Sequence, residues 1–585
     1  MTLPPSASLP TVLGVYDGTH DAGAALVREG RLVAACNEER FTRRKGQAGW
    51  PAASIQACLE VAGVQPHEVD RVAVAGLVNP NPGLRLVRGL QDRWRLDEEW
   101  FYRPSPTLGS RVGDWLQFDS PFPHLESGAL PVRAWRPLLA TRLRADLRES
   151  LGVHAAGVDL ALLDHHRCHA ASAWHTSGQL RGLVVVADGL GDGLATTLWR
   201  GEGADLVLLD ARPYPNSYGL LYATITGFLG FRPFRHEGKL TGLAARGDPA
   251  AVTVPFPFEG PVQARRITER FGMPMRPWLE RLRPFRREDV AAWLQHHLEQ
   301  DLGALVASWL QRTGLSRVSV AGGVFANVRL NQVIAARPEV EDLWVFPHMG
   351  DGGLAVGAAL DQGIAPGAQV APPLAHAFLG PSFEEPAMEA ALRAGGLRIT
   401  RPGELQEELG ARLARGEVVA RFTGAMEVGP RALGHRSILA PADAQISERL
   451  NHALDRSDFM PFAPFLHERD ADDWTEGLEP VRHSACFMTV AVDARPSLAR
   501  ACPSAVHVDG SLRPQLVGPD SQPDLGAILD AYRGRTGRPA LINTSFNMHE
   551  EPIVCSPEDA VRAFVAARLD ALAMGPFLAT LPPAG

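Results

Sequence analysis

The chain has 585 residues, 45% of them hydrophobic and 21% charged, and a formal net charge of −8. That is enough material for two or more compact units with sizeable cores. The negative balance argues against a nucleic-acid-binding protein, which needs surplus positive charge to neutralise phosphates.

The first ten residues lack the basic start and apolar stretch of a signal peptide, and no apolar run is long enough to span a bilayer. Cysteines 36, 58, 168, 486, 502 and 555 show no paired spacing, so a soluble, cytoplasmic protein with free thiols is expected. Of 58 basic residues only Lys45 and Lys239 are lysines. A coding bias towards arginine explains most of this, and the two survivors invite a local reason.

Residues 11–16 read as a buried strand, 17–21 as an Asp-Gly turn, 22–27 as the return strand and 32–36 as a third. Actin-like and sugar-kinase-like ATPase folds open in this way. A helix follows over 51–62. Residues 80–150, rich in Pro, Trp and Arg, read as an inserted stretch of loops and short helices that suits either a lid or a solvated insertion.

Asp164-His165-His166-Arg167-Cys168-His169 then places His165 and His169 four apart, on one helical face. Two such imidazoles can grip one metal ion if carboxylates arrive from elsewhere; the rival reading is a solvated polar face. The strand 183–187 ends at Asp188 beside Gly, where open α/β sheets hold ligands. Lys239 falls in a glycine-dense loop over 235–242, and 287–313 carries a long amphipathic helical pattern. A strand at 318–321 runs into Gly322-Gly323, with Asn327 close behind. Another, 343–346, leads to Asp351-Gly352-Gly353 and a small-residue helix whose N-terminus can approach an anion. Acid or glycine turns of this kind at 17, 188, 322 and 351 together indicate an α/β, nucleotide-binding sheet.

Residues 363–382 read as a linker. Beyond it Gly429-Pro430-Arg431, Gly434-His435-Arg436-Ser437, Phe459-Met460-Pro461, His507–Arg513 and Asn543-Thr544-Ser545-Phe546-Asn547 set arginines and small polar groups beside glycine turns. A small oxyanion pocket needs such groups.

The runs around 165–169, 188–193, 237–243, 322–331 and 347–359, with Met426–Ala440 and Asn543–Asn547, resemble the O-carbamoyltransferase family of the tobramycin and nodulation-factor type. The resemblance covers nearly the whole chain outside 80–150. It implies two catalytic domains. Residues 1–370 would form a two-lobed, actin-like (ASKHA) ATPase fold similar to the universal tRNA threonylcarbamoyl-adenosine modification protein, with an insertion at about 80–150. Residues 371–585 would form a YrdC-like α/β domain.

By that resemblance the second domain turns carbamoyl phosphate and ATP, with Mg as a possible companion of ATP, into carbamoyl adenylate and pyrophosphate. The first then passes the carbamoyl group to a hydroxyl of a small-molecule, natural-product acceptor. His165, His169, Asp188 and Asp351 give a mixed N/O metal shell that suits Fe(II), Mn(II) or Zn(II); the resemblance favours iron. His20 and Asp21 are the candidate base pair and Lys239 a candidate charge neutraliser. Gly322, Gly323, Asn327 and Gly352 lie on the nucleotide-facing turns. Arg431, Arg436, Ser437, Arg456, Arg513, Asn543, Ser545 and Asn547 would cradle carbamoyl phosphate and nucleotide.

Two departures stand out. Gly424-Ala425-Met426-Glu427 replaces the usual Gly-Arg-Met-Glu, and Asp455-Arg456 with Phe459-Met460-Pro461 replaces a Lys-Arg and Phe-Arg-Pro pattern. The competing readings are an actin-like-fold small-molecule kinase, which leaves the histidine pair and second domain unexplained, and an inactive binding homologue. Large α/β enzymes are often homodimers, and the sequence leaves the oligomeric state open.

Overall fold

The computed structural model describes residues 9–77, 85, 130–213, 217–257, 275–368, 371–454, 462–519 and 521–582. Apolar runs broken by glycine-bearing turns pair into two five-stranded sheets. The first contains β1 (Val12–Tyr16), β2 (Gly23–Arg28), β3 (Arg31–Asn37), β4 (Arg71–Ala75) and β5 (Asp159–Leu163), in the order β3-β2-β1-β4-β5. The second contains β6 (Arg181–Gly191), β7 (Leu194–Glu202), β8 (Asp205–Pro213), β9 (Arg317–Ala321) and β10 (Asp342–Val345), in the order β10-β9-β6-β7-β8. Counted from each first strand the two orders are the same, 3-2-1-4-5. In both, the first three strands are antiparallel and the last two join in parallel. This duplicated sheet is the two-lobed, actin-like arrangement of an α/β protein.

The lobes are held by an exchange of helices. His165–Ser177 follows β5 of the first sheet yet packs on β6 and β9 of the second. Leu354–Gly363 follows β10 of the second sheet yet packs on β1, β2 and β4 of the first. The two helices cross where Gly357 lies so close that an added Cβ would sit 1.8 Å from the Cys168 carbonyl oxygen. At Gly14 in β1 a Cβ would sit 2.0 Å from the Ala355 carbonyl oxygen. Small residues at these points let the helix approach sheet and partner closely.

Beyond them, β11 (Arg398–Thr400), β12 (Val419–Phe422), β13 (Arg436–Pro441) and β14 (Ala463–His467) contribute to an eight-stranded mixed sheet. A small three-stranded sheet of β15 (Thr475–Glu476), β16 (Val492–Ala494) and β17 (Ser511–Leu512) intervenes. The larger sheet is completed by β18 (Gln515–Val517), β19 (Leu541–Ser545), β20 (Ala571–Met574) and β21 (Phe577–Thr580), and its order is β11-β21-β20-β12-β13-β19-β14-β18. A shared apolar core joins Leu354 and Val356 to Val428, Leu433, Phe487 and Met488.

Two stretches differ from their sequence reading. The end of the 80–150 stretch is a helix, Leu130–Leu151, whose Leu139, Leu143, Leu147 and Leu151 are buried in the first-lobe core. The glycine-dense stretch carrying Lys239 is also a helix, Glu237–Ala244. Gly238 and Gly242 each disfavour a helix by about 1 kcal/mol. Burial of Leu240, Leu243 and Ala244 in the core, with the helix packed on Arg287–Thr313, outweighs them. Among the described residues no helix is long and apolar enough to cross a membrane.

Gly357→Ala is expected to destabilise the protein by about 3 kcal/mol through overpacking. Gly534→Ala, in the helix Pro523–Thr536 with nothing within 4 Å of the new methyl, is expected to be neutral or stabilising by up to about 1 kcal/mol. Thermal unfolding of the two variants beside the parent checks both signs.

Candidate metal centre and anion site

The helix exchange brings four side chains from separate parts of the chain to the lobe junction. His165 and His169 project from His165–Ser177, which is buried along its length apart from Arg167, so the solvated-face reading does not hold. Asp164 caps this helix by accepting from the Arg167 amide. Asp188 sits in β6 where its pairing with β7 breaks register between Ala187 and Gly191. Asp351 stands just before the helix Leu354–Gly363.

His165 Nε2 lies 3.1 Å from Asp188 Oδ2 and 3.6 Å from Asp351 Oδ1; His169 Nε2 lies 3.9 and 3.6 Å from the same two oxygens. All four offer a ligand atom within 4.8 Å of the others, close enough to share one ion. Both nitrogens of His169 are buried without a hydrogen-bond partner, as is Nδ1 of His165. Buried polar atoms are ordinarily satisfied; His165 Nε2 already meets Asp188 Oδ2, so among the described residues it is His169 Nε2, facing both carboxylates, that a metal ion at this point would satisfy. The residues therefore fit a metal.

The surrounding contacts leave one oxygen of each carboxylate for that role. Tyr16 Oη donates to Asp351 Oδ2 at 2.7 Å, which leaves Oδ1 towards the histidines. The Gly323 amide donates to Asp188 Oδ1 at 3.0 Å, which leaves Oδ2. Asp192 accepts from the amides of His165 and Leu77. A Cβ at Gly191 would lie 2.2 Å from the His165 ring, so glycine makes room for the imidazole. Donors that orient metal ligands in this way matter nearly as much as the ligands.

Burial raises the Asp188 pKa, but the hydrogen bond from His165 and the charge of His169 carry it well below the usual range. Burial lowers that of His165, yet Asp351 and Asp188 raise it to about 9. His166 turns away to Thr197 Oγ1 at 3.2 Å and is held neutral, its pKa near 3, chiefly by burial.

His20 is 39% exposed and stands at the edge of the set, Nε2 3.6 Å from Asp351 Oδ2 and Nδ1 3.0 Å from Asp21 Oδ2. Asp21 has a left-handed backbone, φ 54°, unusual for a non-glycine residue. The other predicted residues are more dispersed. Lys239 is half-buried, and no hydrogen bond or ion pair among the described residues ties it to the four ligand-bearing side chains. Gly322 (φ 103°) would drive a Cβ into the Ala187 carbonyl, and Gly352 would drive one into the His348 ring. Asn327 caps the helix Val328–Ala335 and donates to Gln295 Oε1.

In the later sheet, the loop before β13 is closed by Glu427, whose Oε1 accepts from the amides of Leu433, His435 and Arg436. Arg431 on this loop has a buried Nε without a partner, and burial alone brings its pKa down to about 10. A partly desolvated guanidinium with no hydrogen bond or ion pair among the described residues is a place for an anion. Asn543 donates to the Ala432 carbonyl and Gln515 Oε1, and Gln515 donates to the Leu433 carbonyl, so both brace the Arg431 turn. The Gly434 amide donates to Ser437 Oγ, and Ser437 faces Ser545 across β13–β19.

Arg436 is spent differently. Its guanidinium donates to the carbonyls of Thr423, His435, Pro381 and Gly424 and lies 3.8 Å from the Phe422 ring centroid. Asn547 donates to the Met548 and Glu551 carbonyls. Arg513 is half-buried between β17 and β18; Arg456 and the departures at 455–461 lie outside the described residues.

The sequence profile described as Carbamoyltransferase N-terminus matches residues 11–80, 134–256 and 262–360, and that described as Carbamoyltransferase C-terminus matches 410–580. The nodulation protein NolNO of Sinorhizobium fredii is 33% identical over 96% of this chain and 78% of its own. Nodulation protein NolO of Bradyrhizobium diazoefficiens is 35% identical over 72% and 79%. An uncharacterised Synechocystis protein, sll1178, is 30% identical over 97% and 96%.

The chain belongs to the carbamoyltransferase family. All four ligand-bearing residues fall within the N-terminal match and Arg431 within the C-terminal one.

Sequence reasoning missed three residues that engage acids at or beside the candidate site, Tyr16 at Asp351 and Arg85 and Arg142 at Asp17. Tyr16 reads as an ordinary core residue at a strand end. Arg85, fully buried, donates to Asp17 Oδ1 at 2.7 Å, and Arg142 lies 3.6 Å from Asp17 Oδ2. In a chain so rich in arginine neither carries a sequence signal.

Metal analysis of the purified protein is expected to find about one divalent ion per chain, lost in His169→Ala and retained in His166→Ala. Tyr16→Phe is expected to keep the ion with affinity weakened about 10- to 100-fold, measured by chelator competition.

Proposed function

We propose that this carbamoyltransferase is an ATP-dependent O-carbamoyltransferase that works through carbamoyl adenylate, with residues 371–585 forming the adenylate and 1–370 transferring the carbamoyl group. The observation that carries the reading is the pairing, within one family-matched chain, of the buried His165/His169/Asp188/Asp351 set with the unpaired guanidinium of Arg431. A metal set alone fits many reactions, and an arginine alone fits any anion. Both together fit a reaction that makes a mixed carbamic–phosphoric anhydride and then expels its nucleotide phosphate as AMP.

In the first half-reaction Arg431 holds the phosphoryl oxygens of carbamoyl phosphate, with Arg513, on the turn between β17 and β18, and Ser545, opposite Ser437 in β13–β19, as further candidates to face it. Water hydrolyses it to carbamate and inorganic phosphate; a carbamate oxygen then attacks the α-phosphorus of ATP, which travels with Mg, forming carbamoyl adenylate as the bond to pyrophosphate breaks and pyrophosphate leaves. In the second, a hydroxyl of a small-molecule acceptor attacks the carbamoyl carbon and AMP leaves. His20 takes the hydroxyl proton at Nε2, since its Nδ1 faces Asp21, which fixes the ring. An ion held by the four ligands, iron by family resemblance, would offset the charge gathering on the departing phosphate.

A kinase reading is disfavoured by Asp17. This carboxylate at the end of β1 is fully buried and engaged by Arg85 and Arg142, so it is not open to bind a nucleotide-borne cation or accept a proton.

Incubation with ATP and carbamoyl phosphate is expected to yield pyrophosphate and carbamoyl adenylate, detectable by mass spectrometry. ADP without pyrophosphate would sink the proposal. Arg431→Met is expected to slow pyrophosphate release about 10- to 100-fold, the loss of one or two charge-assisted hydrogen bonds. His169→Ala is expected to leave that half-reaction within about threefold of the parent.

A further inference from the structure

We propose that Arg40 is a positioning residue that sets the Arg431 turn against the metal-bearing turn and so gives Arg431 its grip on phosphate. The inference rests on the adenylate-forming reading above and adds to it a residue from the other half of the chain. Arg40 lies on the four-residue helix Glu39–Thr42, just after β3, and is only 3% exposed. Its Nη2 donates to the Gly429 carbonyl at 2.6 Å, across 389 residues of sequence. Gly429 is two residues before Arg431 and has φ 103°, a conformation that favours glycine.

The same glycine touches the metal side. A Cβ there would lie 3.3 Å from the Pro347 carbonyl oxygen and 3.5 Å from His348 Cβ. His348 in turn meets Asn37 Oδ1 at 2.7 Å, and Asn37 Nδ2 donates to the Gly352 carbonyl at 3.2 Å. A continuous set of contacts therefore runs from Arg431 through Gly429 and His348 to the turn bearing Asp351, with Asn37 and Arg40 as its first-lobe side.

Glu427 fixes the base of the Arg431 loop and Arg40 fixes its outer edge. Only one of these ties is a carboxylate. Among the described residues the nearest carboxylate oxygen to Arg40, on Glu39, is 3.8 Å away, and Arg40 Nη1 is buried with no hydrogen-bond partner. Simple glue between the two halves is supplied next door by Arg43, which donates to the Ile553 and Pro552 carbonyls at 2.7 Å each and lies 3.4 Å from Asp559. Among the described residues Arg43 makes no hydrogen bond or ion pair to the Arg431 turn, so the two arginines separate positioning from adhesion.

The test uses inorganic phosphate and the full chain, by calorimetric titration, so that it needs no turnover. Arg431→Met supplies the benchmark loss. Arg40→Met is expected to weaken phosphate binding at least tenfold, Arg40→Lys to recover part of it, and Arg43→Met to stay within twofold of the parent. The KM for carbamoyl phosphate in pyrophosphate release is expected to follow the same order, with kcat less affected. Equal losses in Arg40→Met and Arg43→Met, or full phosphate affinity in Arg40→Met, overturn the proposal. So does absence of phosphate binding to the parent. Phosphate binding in the expected order without any pyrophosphate release overturns the adenylate reading and leaves the positioning role standing.

Discussion

Two carboxylates, Asp188 and Asp351, meet at the lobe junction with little water to solvate them, and buried like charges are tolerated only with opposite charge set between them. His165 and His169 provide the surroundings for that charge, and one oxygen of each carboxylate is already committed to a neutral donor, Tyr16 or the Gly323 amide. Much of the local backbone follows from this requirement. The register break in β6 releases Asp188 from regular pairing. The glycines at 191 and 357 remove the side chains that would block the His165 ring and the helix crossing. A protein that built this crossing without a charge to balance would carry its most closely packed junction around its least favourable electrostatics.

How far the sequence discloses this differs from element to element. The strand read over 11–16 and the helix read over 287–313 are legible because their apolar periodicity has one simple explanation; they form as Val12–Tyr16 and Arg287–Thr313. The four ligand-bearing residues are legible too, since an acid beside glycine at a strand end has few structural reasons to be there. Lys239 is misread as a loop residue because glycine content is a local signal, whereas the packing of Leu240 and Leu243 is tertiary. Arg436 shows the same limit from another side. Its motif marks it as important, but only the fold reveals that its guanidinium is divided among four carbonyls and a phenylalanine ring. Tyr16, Arg40 and Arg85 are invisible in sequence because each acts on a partner far along the chain.

The junction between the early sheets and the later one is notably polar. Asn331 donates to the Thr489 carbonyl, Ser484 bridges the Leu343 carbonyl and the Val345 amide, and Trp344 stacks on His483 at 4.3 Å. Apolar packing alone would permit sliding between the halves. Directional bonds to main-chain groups fix one arrangement, because any slip leaves buried donors unpaired.

The neighbourhood of Asp17 shows how burial and pairing remove an acid from the accessible chemistry of a cleft. Asp17 follows β1 directly and is fully buried. Here Arg85 and Arg142 engage it from the stretch between β4 and β5, and no exposed surface remains on it. The neighbouring turn, His20-Asp21, then carries the accessible polar groups next to Asp351. Burying and pairing the first acid leaves His20 and Asp21 as accessible polar groups beside the four-residue set, with His20 Nε2 3.6 Å from Asp351 Oδ2. Fold alone does not assign chemistry to such a cleft; the side chains it leaves open decide what can react there.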